Sequence, residues 1–74
     1  MDKLLMQARL GVVLREKRQA LEHSQDSFAD TIGMHRAYYS AIERGERNVT
    51  LSTIGRLADG LQTKIAELMS AASL

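Results

Sequence analysis

Gly33 stands between two short amphipathic stretches, and that arrangement constrains this chain more than any other feature. Ser24 is a good N-cap for a helix over about Gln25–Ile32, and Asp26 suits its first turn. Phe28, Ala29 and Ile32 fall on one face of that helix. Gly33 is the residue expected where a left-handed backbone ends a helix. The next helix is expected over about Arg36–Arg44, with Met34, Tyr39 and Ile42 inward. Arg36, Ala37, Ser40, Ala41 and Arg44 then face outward at helical spacing, and Gly45 closes the element. So short a connection forces the two helices to cross closely. The small Ala29, in the middle of the first, leaves room for the crossing.

The flanking sequence is helical too. Leu10, Leu14, Lys17/Arg18 and Leu21, with Val13 beside them, make one stripe of a helix over about Asp2–Leu21. Its start, residues 2–9, adds Leu4, Leu5, Met6 and Ala8 as apolar surface for the domain or for a partner. Thr50 caps a fourth helix over about Leu51–Leu61, with Leu51, Ile54, Leu57, Ala58 and Leu61 inward. A fifth helix is expected over about Lys64–Ala71, with Thr63 as its cap. Leu61, Ile65, Leu68 and Met69 can serve the core, a dimer interface, or both. No strand-like alternation is present. The expected architecture is all-α: five helices in a single domain over residues 1–74, with the two-helix unit at about 25–44.

A chain this short buries only about 60% of its unfolded surface. It therefore needs well-packed helices, a partner subunit, or both. It has no cysteine, so neither a disulfide framework nor a cysteine-based zinc site can help. His23 and His35 alone cannot supply the ligands of a structural metal centre, and no cofactor is expected. No apolar run approaches the ~20 residues of a membrane helix, and the N-terminus lacks the order of a signal peptide. The expected location is cytoplasmic.

Two short helices joined through a glycine turn form a helix-turn-helix. Its second helix can enter a major groove if the free face carries polar or small groups. Arg36 can grip guanine with two hydrogen bonds, and Ala37 or Ala41 can meet a thymine methyl. Enzymatic chemistry is not expected, because no nucleophile–base pair, phosphate-cradling loop or carboxylate cluster is visible. Glu22, Asp26 and Asp30 read as a solvated acidic face.

Leu10-Gly11, Leu14-Arg15, Arg18, Ser24-Gln25, Phe28-Ala29, Gly33, His35-Arg36, Tyr38, Ser40 and Ile42-Glu43-Arg44-Gly45 together resemble the phage-repressor-like (Cro/Xre) class of transcriptional regulators. Arg47-Asn48-Val49-Thr50-Leu51, Ile54, Leu57-Ala58 and Leu61 extend the resemblance to nearly the whole chain. Within that class, His35-Arg36 with Tyr38, Ser40 and the run from Arg47 to Leu51 is similar to restriction–modification controller proteins. The resemblance implies a compact five-helix, lambda-repressor-like domain. It implies a homodimer on double-stranded DNA, at a roughly palindromic operator. By position, Arg36, Ala37, Ser40 and Ala41 match base-reading residues. Gln25, His35, Tyr38, Arg44, Arg47 and Asn48 match positions near phosphates or flanking bases. Arg18 and Glu43 match an internal ion pair. An antitoxin-type module, which binds a partner protein as well as DNA, is the alternative.

The chain departs from the class pattern in places. Glu22-His23 replaces a usual Gly and apolar pair, Gln62 replaces a common Gly, and Tyr39 replaces Ile or Val. The formal net charge is only +1, but it is uneven: +3 over residues 1–21, −3 over 22–33, +2 over 34–56 and −1 over 57–74. A local patch, not the net value, governs binding to nucleic acid. The expected patch is Arg36, Arg44, Arg47 and Arg56.

Overall fold

The computed structural model describes residues 1–74 as five helices. These are α1 (Lys3–Ala20), α2 (Gln25–Thr31), α3 (Arg36–Glu43), α4 (Leu51–Gly60) and α5 (Ile65–Ala71). All five lie where the sequence places them, with ends shifted by a residue or so. Three starts are held by side-chain caps. Asp2 accepts from the Leu5 N–H at 2.8 Å, Ser24 from Ser27 at 3.0 Å and Thr50 from Thr53 at 3.2 Å. The cap of α5 is Lys64 rather than Thr63, and it makes no side-chain bond. The Thr63 hydroxyl instead donates to Glu67 Oε2 at 2.5 Å.

The helix ends show what the departures from the class pattern mean. Gly33 and Gly45 follow α2 and α3 with φ of 66° and 75°. Glu22, Gln62 and Ser73 hold the same left-handed conformation after α1, α4 and α5, at φ of 61°, 60° and 60°. A left-handed backbone costs an ordinary L-residue about 1–2 kcal/mol. The chain thus keeps the glycine geometry at Glu22 and Gln62 without the glycine.

Every helix contributes to one core. Leu14, Phe28, Tyr39, Ile42, Leu57 and Leu68 are its largest fully buried side chains. Phe28 and Tyr39 meet with ring centroids 5.1 Å apart, which ties α2 to α3. Two glycines let helices approach more closely than side chains would permit. A Cβ on Gly11 would lie 2.3 Å from the Glu43 carbonyl oxygen, so α1 rests on the backbone of α3. A Cβ on Gly60 would lie 2.3 Å from Ile32 Cγ2, so α4 rests on the end of α2.

Some expected placements are corrected. Leu51 is 71% exposed, because as the first residue of α4 it lies beyond the packed body. Leu21 follows the last turn of α1 and is also exposed. Leu61 and Leu68 are core residues, 4% and 0% exposed, so neither offers surface to a second copy. Ile65 and Met69 are half-buried at the edge of that core. Leu4, Leu5 and Met6 remain exposed. No helix is long and apolar enough to cross a membrane.

Candidate nucleic-acid interface

α3 is braced from two sides, by α1 and by α2. That bracing consumes more than half its circumference. At about 100° per residue, the side chains left facing outward, Arg36, Ala37, Ser40 and Arg44, occupy an arc of only about 100°. Ala41 was expected on this arc and is corrected: it is buried, 7% exposed. Ser40 lies within the arc and is half-buried.

Behind the arc lies a buried polar network. The Arg18 guanidinium donates through Nε to Glu43 Oε2 at 2.6 Å and through Nη2 to Oε1 at 3.1 Å. The pair is almost sealed, with side chains 8% and 3% exposed. Arg18 Nη1 also donates to the His23 carbonyl at 2.7 Å, fixing the loop between α1 and α2. The Tyr39 hydroxyl donates to Glu43 Oε2, and Gln25 Nε2 donates to Oε1 at 2.9 Å. Gln25 Oε1 then accepts from Ser40 Oγ at 3.1 Å, and Ser40 Oγ accepts from Arg44 Nη1 at 2.9 Å. One chain of bonds thus runs from α1 to the exposed arc. Gln25 was expected near phosphate or base. Its amide bonds to this network through both atoms and keeps a second N–H on Nε2.

The network perturbs its own members. Burial pushes the Glu43 carboxyl up, but bonds from Arg18, Tyr39 and Gln25 outweigh it and hold the group below the usual carboxylate range. Burial, then the bond to Glu43, push the Tyr39 hydroxyl well above the usual tyrosine range. The bond to Glu43 raises Arg18 despite its burial.

The four arginines of the expected basic patch are all engaged. Arg36 Nε lies 2.8 Å from Asp26 Oδ1, across the crossing of α3 and α2. Arg44 Nε lies 3.1 Å from Glu46 Oε2. Arg47 stands over the Tyr38 ring, 5.4 Å from its centroid. Arg56 donates to the carbonyls of Ile32 and Gly33 at 2.7 and 3.0 Å. His35, the N-cap of α3, and Asn48 are exposed beside this surface. The sequence reading missed the parts of Asp26, Glu46 and Arg56. Only Arg44–Glu46 is close enough in sequence to leave a local signal.

A profile of the helix-turn-helix family matches residues 14–68. The chain belongs to the helix-turn-helix family. It is 42% identical over 57 residues to the control protein C.SmaI of Serratia marcescens, covering 77% of this chain and 68% of that one. Its fold is similar to the restriction–modification controller protein C.AhdI from Aeromonas hydrophila. There the TM-score is 0.80 at 40% identity, over 84% of this chain and 94% of the other. The fold also matches C.Esp1396I, seen as a tetramer in complex with its natural 35 base-pair operator. That match has a TM-score of 0.80, covering 93% of this chain and 96% of the other. Its identity is 23%, so the likeness is one of fold. The helix-turn-helix unit that the sequence indicated, and the narrower similarity to controller proteins, are both borne out.

Proposed function

We propose that this chain is a sequence-specific DNA-binding transcriptional regulator that acts as a homodimer on a roughly palindromic operator. The observation that carries the reading is the narrow exposed arc of α3, braced from behind by the Arg18–Glu43 network. A helix held in this way can enter a major groove without tilting, and its outward side chains can then meet base edges. Arg36 donates to a guanine edge, and the Ala37 methyl packs on a thymine methyl. Arg47, His35, Tyr38 and Asn48 approach phosphates or flanking bases, Arg44 approaches a flanking base, and together they set the register. In the dimer the two copies of α3 lie ~34–36 Å apart, one helical turn of DNA. Ile65 and Met69 supply apolar surface for the second copy. The activity is binding rather than catalysis, and it takes place in the cytoplasm.

Selection of bound duplexes from a random pool tests the reading directly. The expected product is a palindromic consensus. On that site Arg36→Ala loses about 1–3 kcal/mol of binding and relaxes preference at one base pair per half-site. Enrichment of no sequence at all would overturn the proposal.

A further inference from the structure

We infer that Asp26 and Glu46 are specificity-determining residues, which hold Arg36 and Arg44 back from phosphate and so suppress binding to the wrong DNA. The inference rests on the DNA-binding reading above. Arg36 and Arg44 are the two cations of the exposed α3 arc, one at each end. Each is met by a carboxylate, Asp26 at 2.8 Å and Glu46 at 3.1 Å. All four side chains are more than half exposed, so neither pair contributes much to folding. Their effect falls on what the arginines can bind. A phosphate approaching either guanidinium meets a carboxylate already in place and is repelled by it.

A base edge meets a different situation. The Arg36 ion pair has its closest approach at Nε, without hydrogen-bond geometry, and a guanidinium carries four further N–H donors on its terminal nitrogens. Those donors can take a bidentate acceptor, such as a guanine edge, while Asp26 stays beside Nε. Asp26 thus selects the contact that carries sequence information against the one that does not. Arg44 is committed further, since Nη1 is also bonded to Ser40 Oγ at 2.9 Å.

The test compares the parent with Asp26→Asn, Glu46→Gln and Asp30→Asn, on the selected duplex and on a random-sequence duplex, over a range of salt. Asp30 lies on the same α2, is exposed and forms no ion pair, so its variant reports the bare effect of losing one negative charge. Glu46 lies outside every helix, and Glu46→Gln keeps the backbone N–H that closes α3 on the Ala41 carbonyl. Asp26→Asn and Glu46→Gln are each expected to bind random duplex about two- to fivefold tighter than the parent. Their log–log salt dependence steepens by about 0.9, the mark of one added phosphate contact. Affinity for the selected duplex changes less, so the specificity ratio falls. An unchanged ratio in both variants overturns the inference, as does an equal shift in Asp30→Asn. A parent that selects no duplex overturns the DNA-binding reading itself, and this inference with it.

Discussion

The Arg56 guanidinium, carried on α4, donates to the carbonyl oxygens of Ile32 and Gly33 at 2.7 and 3.0 Å. Those carbonyls stand at the C-terminal end of α2, where a helix leaves acceptors unpaired and where a cation is favoured. α4 therefore clasps the turn that separates α2 from α3. Because Arg56 is exposed, Arg56→Ala is expected to cost only about 1 kcal/mol in urea unfolding. Arg56→Lys keeps the charge but not the fork, and should fall between the two.

The Arg18–Glu43 pair predicts a far larger effect. Arg18→Met leaves the Glu43 carboxylate buried with fewer donors, at a cost of about 3–5 kcal/mol. Domains of this kind have about 5–15 kcal/mol in all. Circular dichroism with urea titration should show a large fall in the unfolding midpoint, equivalent to that loss. Loss of DNA binding in this variant would follow from unfolding, not from a missing contact.

The same network sets the pH limits of the fold. The Glu43 carboxyl titrates lower in the folded chain than in the unfolded one. Its contribution is therefore complete above about pH 4.3 and is lost as the pH falls through the lower folded value. Tyr39 behaves oppositely, with its folded value raised. Its contribution is complete below about pH 10 and is lost as the pH rises beyond, because only the unfolded chain can readily form the phenolate. Thermal unfolding followed across pH should decline at both ends. Glu43→Gln should flatten the acid limb and Tyr39→Phe the alkaline one, each measured against its own stability near neutrality.

Glu22 and Gln62 offer stabilising substitutions. Both hold φ near +60°, where a side chain is strained and glycine is not. Glycine gives back part of the gain through a looser unfolded chain. Glu22→Gly and Gln62→Gly should each still add about 0.5–1 kcal/mol, or about 2–8 °C in melting temperature. Affinity for the selected duplex should not change, since both residues lie away from the α3 arc. A fall in melting temperature for either variant would contradict the strain assignment.

Most of the fold was legible because its signals are local. Ser24 and Thr50 announce helix starts, Gly33 and Gly45 announce ends, and the pairs Leu10–Leu14 and Leu57–Leu61 fall at helical spacing. Leu51 misled because periodicity cannot say where a helix leaves the packed body. Ala41 misled for a related reason. An apolar residue on a short helix suits core, interface or groove equally until the neighbouring helices are in place. The site was legible only as a list of candidates. Arg36 is ten positions from Asp26, and Arg56 is more than twenty from the carbonyls it holds. No periodicity spans such distances, so the sequence offers the charges but not their partners.

Gly11 has a mechanical consequence. α1 meets α3 there through main chain, with no intervening side chain on the glycine's side. A main-chain contact has no rotamers to sample and cannot yield by a flip. The angle at which α3 is presented is thus set by the packing of main chain on main chain, whereas the arginines along its outer face are long and pivoting. Adjustment to a bound surface falls to those side chains and to the surface itself. The helix that carries them works as a rigid mount.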